Sequence, residues 1–258
     1  MRFAVAVKQV PDASEVSVDE NGSLIRTGVP SILDPFCEHA LMKVLSLKEE
    51  GDEVVVFTMG PPQASDALRR CLCLGADKAY LLSDRAFAGA DTWATSRALA
   101  AFIGRLLCDA GLYVFGRQAS DGETGQVPYE TAQLISARQF AYVTDLRRSN
   151  RGFEAVQDYG DVIRTASVPA GSVVSFSGTD PCGTLMSLTD RIRGYGIPIE
   201  TVDRVAIGLG VYSVGLKGSR TKIVGTDSRS VLRKNRKVAM SSPARAAELI
   251  LEEMEAIR

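Results

Sequence analysis

The segment Gly116-Arg117-Gln118-Ala119-Ser120-Asp121-Gly122-Glu123-Thr124-Gly125-Gln126-Val127-Pro128 concentrates residue types that hold phosphate. Glycines let backbone N–H groups approach phosphate oxygens, and Ser120 and Thr124 add hydroxyl donors. Arg117 adds charge, and a helix after Pro128 would contribute the positive end of its dipole. Asp121 and Glu123 oppose this chemistry. Two carboxylates repel phosphate, so they must face away, cap a helix or contact sugar hydroxyls. The same composition also suits an ordinary left-handed turn that binds nothing. The loop is neither a Walker A motif nor GxGxxG, which disfavours P-loop phosphoryl transfer and a standard Rossmann dinucleotide fold.

A second stretch, Ser83 to Thr95 (SDRAFAGADTWAT), combines small residues with Phe87 and the single Trp93. Either its aromatics pack into the core, or the loop offers a surface for a flat ring system with Asp91 and Thr92 as polar anchors. Other chemistries are poorly supplied. His39 is the only histidine, and the five cysteines, Cys37, Cys71, Cys73, Cys108 and Cys182, form no CxxC pair. These residues do not build the usual zinc or iron sites, and the odd cysteine count argues against a disulfide framework. A Ser–His–Asp or Cys–His mechanism would rest on His39, which has no nucleophile motif nearby.

The elements that must position these residues alternate. Phe3 to Val7 reads as a buried strand, followed by a loop that Pro11 keeps from becoming helical. Short alternating runs on either side of Asp19-Glu20-Asn21-Gly22 suggest a hairpin. Asp34 caps, and Pro35 begins, a helix with Leu41, Val44, Leu45 and Lys48 in one row. Then follow a strand from Glu53 to Thr58, a helix from Gln63 to Leu74, a strand from Lys78 to Leu82 and a helix from Asp91 to Cys108. A strand from Leu112 to Phe115 and a helix from Tyr129 to Ile135 complete the alternation. This pattern predicts an α/β fold, a mostly parallel doubly wound sheet with helices on both faces. Ligands of such sheets bind at the carboxyl ends of the strands, where the candidate loops lie. Apolar runs near 140–146, 153–156, 162–166 and 173–176 extend the sheet, with antiparallel members expected among them.

Residues 179–196 show no clear periodicity. Beyond Val202 the chain is strand-poor, with a basic stretch from Arg229 to Lys237. It ends in a helix begun by Ser242 and Pro243, with Ala247, Ile250, Leu251, Met254 and Ile257 as its apolar stripe. The expected division is a nucleotide-binding α/β domain over 1–201 and an arm with a helix over 202–258. The helix either embraces a partner or folds back on its own sheet. The 258 residues, 45% hydrophobic, suffice for a full core. A net charge of −1 gives no basic excess for nucleic acid. No apolar run approaches the roughly 18 residues of a spanning helix, and no signal or transit peptide is recognisable, so membrane insertion is not expected and a cytoplasmic location is.

The opening VAVKQVPD, the stretch TMGPPQASDALRRCLCLGADKAYLLSDRAFAGADTWAT, and GRQASDGETGQVP, in this order and spacing, resemble the beta subunit of electron-transfer flavoproteins. The similarity runs from Met1 to about Val143 and returns at VGLKGSRT, residues 214–221. It implies a heterodimer whose alpha subunit carries one FAD, and a beta subunit holding an adenine nucleotide. In simple members that nucleotide is a structural AMP. In electron-bifurcating members it is a second FAD that takes hydride from NADH. Such members send one electron to ferredoxin or flavodoxin and the other, through the alpha-subunit FAD, to a partner dehydrogenase, often an acyl-CoA dehydrogenase. FAGADTWAT and the small residues Gly122 and Gly125 resemble the bifurcating type, because small side chains leave room for a flavin beyond the AMP moiety.

Carried over by position, the resemblance implies nucleotide contacts from Ala6, from Asp34, Pro35, Phe36 and Cys37, from Met59, and from every residue of Gly116 to Val127. Asp91, Thr92 and Thr95 are further candidates for the flavin end. No side chain need act as acid or base, because the cofactor carries the hydride chemistry. The chain departs from the family pattern at Asp34-Pro35, where Asn-Pro is common. It departs again at Pro181-Cys182-Gly183, where the partner loop commonly shows Pro-Arg-Tyr; Leu185, Met186 or Leu188 remain as apolar anchors. Two other classes predict different behaviour: a stand-alone nucleotide-sensing module would be a stable monomer or homodimer, and a metal-dependent or nucleophilic hydrolase would need histidines that the chain lacks.

Overall fold

The protein was analysed as a computed structural model that describes residues 1–12, 17–18, 24–25, 30–150, 152–179, 185–222, 224 and 242–255. The turn Asp19–Gly22, residues Pro181, Cys182, Gly183 and Thr184, the basic stretch Arg229–Lys237 and Ile257 lie outside the described residues. In chain order the elements are β1 (Arg2–Ala6), β2 (Gln9–Pro11), β3 (Ser17–Val18), β4 (Leu24–Ile25), β5 (Ser31–Leu33), α1 (Pro35–Leu47), β6 (Glu53–Met59), α2 (Ser65–Leu74), β7 (Lys78–Leu82) and α3 (Thr92–Leu106). They continue with β8 (Leu112–Gly116), α4 (Val127–Leu134), β9 (Gln139–Ser149), β10 (Gly152–Asp158), β11 (Ile163–Val168), β12 (Ser172–Phe176), α5 (Leu188–Gly196), β13 (Ile199–Val202), α6 (Gly215–Gly218) and α7 (Pro243–Glu255).

One nine-stranded sheet carries the fold, in the order β11-β10-β9-β12-β8-β1-β6-β7-β13. From β9 to β13 neighbouring strands are parallel, and β10 runs antiparallel to both β9 and β11. The apolar runs of β1, β6 and β8 explain their central place. A strand buried on both faces has no polar side to alternate. Phe3 and Val5 pack with Leu41 and Val44 of α1 and Leu68 and Leu72 of α2 on one face. Ala4 and Ala6 point to the other face, with Leu99, Phe102 and Ile103 of α3. The fold is therefore the mixed α/β architecture expected from the alternation, antiparallel strands included.

The chain steps from β1 outward to β6 and β7, then returns across β1 to lay down β8 on its other side. This reversal makes the crevice beyond the carboxyl ends of β1 and β8 the topological switch point.

Several elements differ from the sequence expectation: β2 stands where a loop is expected, β5 and β13 where no element is, and α4 and α5 differ as follows. Helix α4 begins at Val127, two residues before Tyr129, with Pro128 in its first turn, where a missing N–H costs nothing. Residues 188–196, which read as aperiodic, form α5. A capping box starts it: the Ser187 hydroxyl accepts from Asp190 N, and the Asp190 carboxylate accepts from Ser187 N. Its apolar residues Leu188, Ile192 and Tyr195 face solvent. The helix is fastened by its small and basic residues instead. Gly194 sits directly against Cys73 of α2, and Arg193 donates to the carbonyls of Leu72 and Ala76. Among the described residues no helix is long and apolar enough to cross a membrane.

Candidate functional site

Asp34 organises the switch point. It is fully buried. Its Oδ1 accepts from the amides of Phe36 at 3.0 Å and Cys37 at 3.3 Å, capping α1. Its Oδ2 accepts from the Ser120 amide at 2.7 Å. Its own N–H donates to the Lys8 carbonyl just past β1, at 2.9 Å. One residue thus ties together the end of β1, through its backbone N–H, and the start of α1 and the loop after β8, through its carboxylate. Gly116 closes the joint from below: a Cβ there would lie 2.8 Å from the Phe36 carbonyl carbon and 3.0 Å from Cys37 N. Burial, assisted by the Asp34 charge, pushes the Cys37 thiol well above its ordinary pKa, so it stays protonated at neutral pH.

The loop Gly116–Val127 doubles back on itself. Glu123 and Gly125 adopt left-handed backbone angles, φ 51° and 63°, and Glu123 N donates to the Ala119 carbonyl. The amides of Gly122, Thr124, Gly125, Gln126 and Val127 have no partner among the described residues. Consecutive unpaired N–H groups at a helix start are what an anion requires. The unfavourable carboxylate of Asp121 is taken by Lys8, Nζ to Oδ1 2.6 Å, and Glu123 is exposed. Lys8 is the residue that inspection of the loop alone misses; it comes from a strand end 113 positions earlier. Ala6 ends β1 and Met59 ends β6 beside it, which places both on the carboxyl edge of the sheet. Arg117 projects toward Tyr142 of β9, its guanidinium 5.2 Å from the ring centroid.

The 83–95 stretch divides. Phe87 is buried in the core. Thr92 donates toward Gln126 at 3.1 Å and Glu130 at 3.2 Å, joining α3 to the start of α4. Thr95 stands half-buried on the first turn of α3. Asp91 caps α3 through the Ala94 amide, and its Oδ2 accepts from the amides of Arg220 and Thr221 and from the Thr221 hydroxyl, at 2.7–3.0 Å. Asp91 is therefore a latch for residues 215–221. Gly215, at φ +56°, is the only residue type that fits beside the Ala86 carbonyl, and Arg220 stacks on Trp93 at 3.8 Å.

This latch carries a pH prediction. Burial acts on the Asp91 pKa most strongly and upward. The N–H groups of Ala94 and Thr221, the Thr221 hydroxyl and the Arg220 N–H outweigh it, so the carboxyl sits below its ordinary value. A depressed folded pKa gives stabilisation that is present above the unfolded value near pH ~3.9 and lost as pH falls through the lower folded value. Trp93 is the sole tryptophan and reports the contact. Its emission in Asp91→Ala at pH 7 should match the emission that the parent protein reaches only below about pH 4. An emission unchanged by the substitution would mean that Arg220 stays on Trp93 without the latch.

Comparison with known proteins decides the family. The electron transfer flavoprotein domain matches residues 21–178. The chain belongs to the electron transfer flavoprotein beta-subunit family. It is 43% identical over 229 residues, 86% of each chain, to the caffeyl-CoA reductase-Etf complex subunit CarD of Acetobacterium woodii. It is 37% identical over 233 residues, 90% of this chain and 89% of the relative, to the electron transfer flavoprotein subunit beta of Clostridium acetobutylicum. Protein FixA of Azotobacter vinelandii is 37% identical over 233 residues, 86% of this chain and 82% of the relative. The electron transfer flavoprotein match contains α1, β6, β8 and the whole loop after it, so the Asp34 cap and the 116–127 loop lie in the family region, while β1 and Lys8 precede it.

Proposed function

We propose that this beta subunit holds FAD at the switch point and works in a heterodimer with an electron-transfer flavoprotein alpha subunit, as an electron-bifurcating flavoprotein. The observation that carries this is the loop 122–127, whose unpaired amides suit a pyrophosphate. Gly122 is consistent with it: no protein atom lies within 4 Å of where a Cβ would stand, so the loop is open to solvent there. The residues fit such a group. The amides of Gly122 and of Thr124 to Val127 and the Ser120 and Thr124 hydroxyls would hold phosphate, and Ala6, the 34–37 turn and Met59 would flank the adenosine. Asp91, Thr92 and Thr95 stand on the side assigned to the flavin end, where Asp91 acts through its hold on the 215–221 segment.

When bound, the flavin supplies hydride acceptance from NADH and single-electron delivery, to ferredoxin or flavodoxin and, through the alpha-subunit FAD, to a partner dehydrogenase. The chain's own residues bind and orient it. The exposed apolar residues Ile250, Leu251 and Met254 of α7 offer a face for the alpha subunit. Leu185, Leu188 and Ile192 offer anchors for the dehydrogenase. The resemblance of FAGADTWAT to bifurcating members and the likeness to CarD both favour FAD over a structural AMP.

The test is cofactor content. The chain is co-produced with its alpha subunit, incubated with FAD, desalted and denatured, and FAD and AMP are quantified. About two FAD and no AMP per heterodimer are expected from the two sites. One FAD with one AMP would replace this reading by that of a plain electron carrier with a structural nucleotide in beta.

A further inference from the structure

The charges around the phosphate loop do not favour phosphate. Arg117 is the only basic residue from Gly116 to Val127. It is turned toward β9, where a register slip against β12 and a left-handed backbone, φ +53°, re-aim Tyr142. Its guanidinium lies 5.2 Å from that ring's centroid. The second cation at the loop, Lys8, is engaged by Asp121, Nζ to Oδ1 2.6 Å. Glu123 is exposed, and the buried Asp34 carboxylate stands behind Ser120. Three carboxylates thus accompany two cations, and the loop has no positive surplus.

The Lys8–Asp121 pair is built into the fold. The Lys8 carbonyl accepts from Asp34 N at 2.9 Å, and Asp34 Oδ2 accepts from Ser120 N at 2.7 Å. The next residue, Asp121, takes the Lys8 ammonium. Backbone and side chain of Lys8 close one circuit through the loop, which fixes the Asp121 carboxylate beside the unpaired amides.

A phosphate here meets dipoles rather than surplus charge. The amides of Gly122 and of Thr124 to Val127 and the two hydroxyls can take the oxygens of one phosphate or of a bridged pyrophosphate. Loops that hold triphosphates add a lysine as a point charge on the outer phosphates. In this loop the lysine is neutralised from within. Each further phosphate on a nucleotide adds roughly one negative charge. For that charge the loop offers no compensation, and Asp121 repels it.

We infer that the Lys8–Asp121 pair determines the specificity of the site: it keeps the loop near neutrality, so that a nucleoside monophosphate or a dinucleotide is held and the free terminal phosphates of ADP and ATP are rejected. This rests on the reading of the loop as a nucleotide site and is the same for FAD and for AMP. The two side chains act in opposite directions. Without the Asp121 charge, Lys8 is released to a terminal phosphate; without the Lys8 charge, Asp121 faces it bare. Between neighbouring partly exposed groups, one charge changes affinity by about threefold per added ligand charge, and by less in high salt.

The experiment uses the heterodimer with its alpha subunit. It is incubated with a large equimolar excess of radiolabelled AMP, ADP and ATP in EDTA at low salt, desalted and denatured, and the retained nucleotides are quantified. Every substitution lies in the beta chain, so nucleotide at an alpha-subunit site gives the same background throughout. The parent should retain AMP over ADP and ADP over ATP. Asp121→Asn, which keeps the side chain's shape, should raise the ATP-to-AMP ratio about tenfold, the effect of two added charges. Lys8→Met, which keeps the apolar stem and the backbone bond to Asp34, should lower it about tenfold. The double variant should return to within about twofold of the parent. A merely structural role would lower all three nucleotides together, most of all in the double variant. An ATP-to-AMP ratio within about twofold of the parent's in both single variants, or moving the same way in both, would overturn the inference. A parent whose beta chain holds neither FAD nor any of the three would overturn the proposed function, and the inference with it.

Discussion

Gly116→Ala should strip the nucleotide from the purified protein and lower its stability by about 3 kcal/mol, at the upper end for overpacking a well-filled site. The new methyl would meet the Phe36 carbonyl carbon and Cβ at 2.8 Å and Cys37 N at 3.0 Å. These are mostly backbone atoms of the first turn of α1, not the far end of a flexible side chain. Neither side can yield easily. Strand β8 is fixed between β1 and β12, and α1 is fixed by the Asp34 cap and by the Leu41 and Val44 packing. The clash must lift the start of α1 away from β8, and the Asp34–Ser120 bond carries that displacement into the loop. Gly122→Ala is the control. It meets no atom within 4 Å, so stability should change by less than about 0.5 kcal/mol while any loss falls on the ligand alone. Urea denaturation with absorbance of the released nucleotide separates the two. A Gly116→Ala protein that keeps both its midpoint and its nucleotide would mean that the close packing of α1 on β8 does not position the loop.

The sheet was legible because its central strands are buried on both faces, so that Glu53–Thr58 and Leu112–Phe115 appear as unbroken apolar runs. The caps at Asp34 and Asp91 were legible for a local reason: a short acidic side chain just before a helix lies within reach of the first free amides that follow it. What each of those residues does with its second oxygen was not legible. Asp34 bonds Ser120 and Asp91 bonds Thr221, pairings 86 and 130 positions apart that depend on how the finished layers stack. The same holds for Asp121, whose carboxylate counted against a phosphate site until the fold brought Lys8 to it. Helix α5 is hard to read because it is only nine residues long, carries two glycines and shows just three apolar positions, Leu188, Ile192 and Tyr195, while its anchoring side is made of Gly194, Arg193 and backbone carbonyls. Tyr142 was unreadable for another reason: a bulge takes its identity from the partner strands, not from the residue that bulges.

Asp34→Ala should be the most damaging single side-chain truncation at the site, at about 3 kcal/mol. About 1 kcal/mol comes from uncapping α1, and about 2 from losing the charge-assisted bond that the Ser120 amide donates to the buried carboxylate. Asp34→Asn tests how these parts divide. Its remaining oxygen can still cap Phe36 and Cys37, but its NH₂ group then faces the Ser120 N–H, donor against donor. It should therefore lose about 2 kcal/mol and keep the helix start. Nucleotide affinity is the sharper readout, because two effects oppose each other there. Losing the carboxylate removes a negative charge near the phosphate loop, which favours binding; losing the Ser120 bond frees the loop, which disfavours it. The carboxylate is buried and already shares its charge among three amide donors, so the loss of loop position should prevail. The expected order of affinity is parent, then Asp34→Asn, then Asp34→Ala. Tighter binding in Asp34→Asn than in the parent would mean that the charge of this residue, not its grip on Ser120, sets the affinity of the site.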